Sequence, residues 1–170
     1  MFVFHISPDL TLDGKILKPR IPDYLVKDEE GELKFEDTTT KRVCFSWGIN
    51  DALNAIYANL NPSNPIPDRI VAVYKPEKEF ERYKNKVTNN EIIKRKLVWD
   101  ANLTMECWIT EPVKLVLWGV LYIDSVVLRS VAKGVPNKDG NCAKRPLYEF
   151  RNHWFVEPEI FEEYRNRNTE

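Results

Sequence analysis

Within the stretch "NLTMECWITEPVKLVLWGVLYI" (residues 102–123) a single carboxylate, Glu106, stands between Met105 and Cys107 and two residues before Trp108. Elsewhere, His5 lies in "VFHIS" with Ser7 two positions on, and Ser46 lies in "CFSWG" where a strand gives way to a helix. These residue types can do chemistry. A carboxylate fixed on a strand can hold a hydroxyl and stabilise developing positive charge. An imidazole can donate a hydrogen bond into a cleft, and a serine beside the free amides of a helix start suits an anionic or ribose-bearing ligand.

Each residue also has a plainer role. His5 shares a strand face with Val3 and Ser7, where a backbone partner would satisfy it. Ser46 alone is most often a helix cap, and no Gly-x-Ser-x-Gly context surrounds it. Strict alternation puts Glu106 on one face with Thr104, Trp108 and Thr110, which on a half-wet antiparallel sheet can simply face water. The tryptophan on that face weighs against open solvent, because large aromatics are seldom left bare.

The elements that must position these side chains follow from periodicity and punctuation. "FVFHIS" (2–7) alternates and stops at Pro8, and "RVCFSW" (42–47) reads as a second strand. "GINDALNAIYANL" carries Ile49, Leu53, Ile56, Tyr57 and Leu60 at helical spacing, and "NPSNPIPD" ends that helix. Strands are expected at "RIVAVYKP" (69–76), "LVWD", "TMECWIT" and "VKLVLWGVLYI", then a short helix in "DSVVLRSVAKGVP". Residues 23–42 and 77–96 read as charged surface loops, the second with five basic residues against one acid in "KNKVTNNEIIKRK". "RNHWF" is expected to pack on the sheet. Pro158, early acids and late arginines mark 157–168 as a terminal helix.

With few helices and mostly antiparallel strands, the pattern predicts an α+β domain. Its absent βαβ alternation and Gly-rich phosphate loops argue against a dinucleotide-fold dehydrogenase and a P-loop ATPase. A net charge of −1 advertises no nucleic acid or anionic membrane, and no apolar run reaches the roughly 20 residues of a membrane helix. "MFVFHISPDL" lacks the features of a secretory signal. Three cysteines without CxxC spacing and only two histidines, His5 and His153, predict reduced thiols, no metal site and a cytoplasmic setting.

Taken in order, "FVFHIS", "RVCFSWGINDALNAIYANL" and "MECWITEP" resemble the three motifs of the ADP-ribosyltransferase-like fold family, over roughly residues 2–123. The resemblance implies a split β sandwich with a cleft that binds NAD. In it His5 would meet a ribose hydroxyl, Ser46 would help shape the cleft and Glu106 would be the catalytic glutamate. Ser7 would lie beside the cofactor, and Phe45, Trp47 or Trp108 could stack on nicotinamide or adenine. Two departures matter. The second motif has Phe45-Ser46-Trp47 where many histidine-type members carry tyrosine. The position two before the glutamate is Thr104, which argues against arginine as acceptor.

The expected enzyme is thus an NAD-dependent ADP-ribosyltransferase or NAD glycohydrolase-like protein, its core at 1–125 and a C-terminal extension at 126–170. A protein or RNA acceptor would be met through the basic run in 77–96, with no membrane involved. The chain also resembles small phage and prophage proteins, which implies a non-catalytic binder of a host factor in the host cytoplasm. A third reading is an RNA 2′-phosphate-processing enzyme, with Lys18, Arg20 and Arg42 as its only evident cleft cations.

Overall fold

Two antiparallel sheets meet at one short seam near the start of the chain in this computed structural model, which describes residues 1–22, 35–57 and 70–154. The larger sheet contains β1 (His5–Ser7), β4 (Ile70–Pro76), β7 (Val113–Lys133) and β2 (Ile16–Leu17), in that order. β8 (Lys144–Trp154) pairs with the far half of β7. The smaller sheet runs β3 (Val43–Ser46), β6 (Glu106–Ile109), β5 (Lys86–Val87). Mostly antiparallel sheet with few helices makes this an α+β protein, as the alternation predicts.

Period-2 patterning builds a shared core between the sheets. Val43 and Phe45 of β3 and Cys107 and Ile109 of β6 meet Val3, Ala72, Tyr74, Val113 and Leu115 from the larger sheet. Behind the larger sheet, α1 (Ile49–Ile56) lays Ala52, Leu53 and Tyr57 on Ile6, Val71, Val73, Leu121 and Phe150. Behind the smaller sheet, α2 (Asn89–Lys94) and α3 (Ala101–Thr104) enclose Trp108 with Ile92, Val98 and Ala101.

Several expectations are corrected. "TMECWIT" is not one strand: Asp100 opens the short helix α3, buried Thr104 returns its hydroxyl to the Asp100 carbonyl at 3.2 Å, and Met105 closes the turn at φ 50. The strand therefore starts at Glu106. "LVWD" contributes only an isolated bridge, Val98 to Glu36, before the chain turns into α3.

The helix expected within 124–136 is the continuation of β7, which runs unbroken past residue 125 to Lys133. Register shifts between Ile123 and Ser125 and between Leu128 and Ser130 disturb the alternation there, so the pattern no longer shows a clean period of two. "RNHW" is the end of β8, paired to β7 through His153–Tyr122 and Trp154–Leu121. The run 77–96 is not a loop: it holds a 3-10 turn (Phe80–Arg82), β5 and α2, the last closed by a Thr88–Glu91 capping box. The expected terminal helix at 157–168 lies outside the described residues.

Candidate functional site

The seam between the sheets is one bridge long. Phe4 N–H donates to the Ser46 carbonyl at 2.8 Å and Ser46 N–H returns a bond to Phe4 at 2.9 Å. Two residues before Cys44, just ahead of β3, Arg42 pairs instead with Arg20, at 2.9 and 3.1 Å. Between these bridges β1 has splayed away, and the Cys44 carbonyl is met by His5 Nδ1 at 3.0 Å. A carbonyl only accepts, so Nδ1 carries the proton. Burial lowers the His5 pKa and the nearby Arg20 charge adds to that, against the Cys44 contact which raises it. The ring is therefore neutral near pH 7, and Nε2 is an acceptor. His5 was expected as a donor into the cleft; its donor is committed to β3, because the departing strand leaves that carbonyl without a ladder partner.

Ser46 stands directly opposite Glu106 in the β3–β6 ladder, and Cys44 opposite Trp108. Alternation puts Arg42, Cys44 and Ser46 on the face of β3 that Glu106 and Trp108 occupy on β6, the face toward α2 and α3. There Trp108 donates its indole N–H to Glu106 Oε1 at 2.6 Å. The Arg42 guanidinium lies 4.2 Å from the Trp108 ring centre, a cation–π contact inside the protein. Its NH1 donates to the carbonyls of Asp37 (2.8 Å) and Thr40 (3.1 Å), and its NH2 pairs with the Glu36 carboxylate. The Asn89 amide, at the start of α2, bonds the Glu106 carbonyl at 3.0 Å and the Ala101 carbonyl at 2.8 Å.

Burial raises the Glu106 pKa; the Trp108 hydrogen bond opposes this, the Asp100 charge adds to it, and the Cys44 thiol and Arg42 oppose it. Glu36 is pushed up to about 8, chiefly by burial and then by the charge of Glu106, against the pull of Arg42. Burial dominates at Cys44 as well and raises its thiol, so the thiol stays protonated beside Glu106. Asp100 is raised by burial although it pairs with Arg145.

The structure thus brings Ser46, Glu106 and Trp108 together. His5 comes to the same seam from the sandwich face, its ring edge-on to Phe45 at 5.8 Å, and among the described residues no hydrogen bond joins it to Glu106. Ser7 spends its hydroxyl on the Asp9 amide at 3.1 Å, in a turn. Phe45 at 2% exposure and Trp108 at 0% are sealed in two different cores, so neither ring has a free face for a ligand. Of the expected stacking residues only Trp47 is half-buried, set edge-on to Phe80 at 5.4 Å. Glu36 was expected on a surface loop, and Arg42 at the start of a strand as a candidate cleft cation; Arg42 instead packs over Trp108 and pairs with Glu36. The i, i+2 run Arg42–Cys44–Ser46 entering a strand was the one available hint that the arginine faces the acid across the ladder.

Among the described residues no group of three or more His, Cys, Asp and Glu side chains could hold a metal ion, and no helix is long and apolar enough to cross a membrane. Compared with protein-family models, with curated proteins and with solved structures, the chain finds no match.

Proposed function

We propose that the chain is an NAD-dependent enzyme of the ADP-ribosyltransferase or NAD glycohydrolase type, on an ADP-ribosyltransferase-like split sandwich, with Glu106 as the catalytic carboxylate and His5 and Ser46 beside it. The observation that supports this reading is that Ser46 on β3 stands directly across from Glu106 on β6, with His5 of β1 bonded to the Cys44 carbonyl two residues from Ser46, next to the Phe4–Ser46 bridge. An ionised Glu106 would accept a hydrogen bond from the 2′-hydroxyl of the nicotinamide ribose. It would stabilise the oxocarbenium character that develops as the C1′–N bond breaks and nicotinamide leaves with the bonding pair. Water or an acceptor then adds at C1′ and gives up its proton. His5 Nε2, an acceptor, suits a ribose hydroxyl, and Trp47, half-buried one residue past Ser46, is the candidate left to stack on a base.

The RNA 2′-phosphate reading is less well served, because Arg42, one of its three cations, is buried against Glu36. A non-catalytic interaction protein on the same scaffold has one observation in its favour: the Glu106 carboxylate already holds the Trp108 indole, while His5 approaches from the other face. Incubation with NAD and chromatography for nicotinamide, for wild type and Glu106→Gln, separates the two. Release by wild type and its loss in the variant supports the enzyme. Calorimetry with no NAD binding and chromatography with no release would sink it in favour of the binder.

A further inference from the structure

The acid at the seam does not stand alone. A continuous chain of side chains runs from it into the interior: Glu106 Oε1 takes the Trp108 indole N–H at 2.6 Å, the Trp108 ring lies under the Arg42 guanidinium at 4.2 Å, and Arg42 is tied to Glu36. Its two central links are enclosed. The Arg42 side chain is 0% exposed and Trp108 is packed by Ile92, Val98 and Ala101, so neither can turn away without opening that core.

Resting on the reading of Glu106 given above, we propose that Trp108 and Arg42 are positioning residues: the indole N–H fixes which way the Glu106 carboxylate points, and the stacked guanidinium fixes the indole. A glutamate has three rotatable bonds, and a hydrogen bond from a ring that cannot move selects one orientation before any ligand arrives. The cation over the ring face also makes the indole N–H a stronger donor, since both draw electron density the same way. The groups that face Glu106 are Cys44 and Arg42 from β3, Trp108 from its own strand, Asp100 before α3, and Glu36, whose charge couples to it. Among the described residues Trp108 first, then Cys44 and Arg42, favour the ionised acid.

The test begins with wild-type protein, so that it does not depend on a variant folding. In a pH titration followed by NMR, the Trp108 indole N–H resonance should move with the midpoint of the Glu106 carboxyl carbon, and should lose that dependence in Glu106→Gln. Trp108→Phe keeps a ring beneath Arg42 and removes the donor. The Glu106 midpoint should then rise by about one pH unit or more, and the acid limb of nicotinamide release should move with it while KM changes little. Arg42→Lys keeps the charge but loses the planar stack, and should reproduce part of the shift. An indole resonance that stays flat through the Glu106 titration, or a midpoint unmoved in Trp108→Phe, overturns the proposal; a midpoint unmoved in Arg42→Lys removes Arg42 from it. If wild type releases no nicotinamide, the NAD reading fails, and the carboxyl and indole midpoints still decide the positioning claim.

Discussion

Arg145, buried at the start of β8, pairs with Asp100 at the mouth of α3 and donates to the Asn54 carbonyl near the end of α1, so one guanidinium ties together two helices and a strand. Asn54 completes the clasp by taking the Tyr148 amide at 2.9 Å and giving its own amide to the Tyr148 carbonyl at 3.1 Å. The same Asp100 is a charged neighbour of Glu106, so the clasp and the seam share an electrostatic environment.

Removing one member of this buried pair should be far worse than removing both. Arg145→Met strands the Asp100 carboxylate in the interior and should cost about 3–5 kcal/mol. Asp100→Asn combined with Arg145→Met should recover a large part of that loss. Urea unfolding of wild type and the two variants measures it, and equal losses in the single and the double variant would show that the ion pair is not the clasp.

Stability should fall as pH rises from about 5 to 8. Glu36 has its folded-state pKa raised to about 8 by burial and the Glu106 charge, whereas in the unfolded chain it titrates as an ordinary glutamate. Between those values the folded protein holds a proton that the unfolded chain has released, so its contribution is complete below the unfolded pKa and is lost as pH climbs through the folded one. Arg42 keeps a charged partner meanwhile, because hydrogen bonds from Thr39 and Thr40 outweigh burial and hold Asp37 at about 2. Melting temperatures across this range should decline for wild type and decline less for Glu36→Gln.

Lys96 offers a test away from the site. It sits at φ 51 just past α2, where its amide bonds the Ile93 carbonyl at 3.0 Å and the Leu97 amide bonds the Ile92 carbonyl at 3.0 Å, a Schellman closure that favours glycine. Lys96→Gly should relieve the left-handed strain at the expense of the exposed ammonium contact to the Asn137 carbonyl. A net gain of about 0.5 kcal/mol is expected, read as a higher urea midpoint with an unchanged slope.

The strands that flank the seam were legible because their alternation is clean: Val43 and Phe45 against Cys44 and Ser46, Cys107 and Ile109 against Glu106 and Trp108. α1 was legible from its apolar stripe. What hid the rest was local chemistry that imitates another element. Ala101–Thr104 is a single helical turn, too short to show a period, and its end depends on Met105 accepting a left-handed backbone. Beyond Ile123 the extra residues at the register shifts broke the strand pattern. At the site, the sequence names Glu106 and Ser46 but not their setting, since the Arg42–Trp108 stack requires the register between β3 and β6. His5 could be placed on a strand, yet which of its nitrogens is spoken for follows only from the carbonyl that β1 leaves behind.

At Cys44 the imidazole of His5 stands in for a peptide group. One side-chain N–H completes the border of β3 between the Phe4 and Arg20 bridges. Position 5 therefore has one ring nitrogen, Nδ1, spent on the strand border, while Nε2 is left as an acceptor. An amide side chain of suitable reach could make the same contact to the Cys44 carbonyl while changing the atom beside it. The interval between the two bridges is thus closed by a side chain rather than left bare, and that side chain is one that evolution or an engineer can exchange.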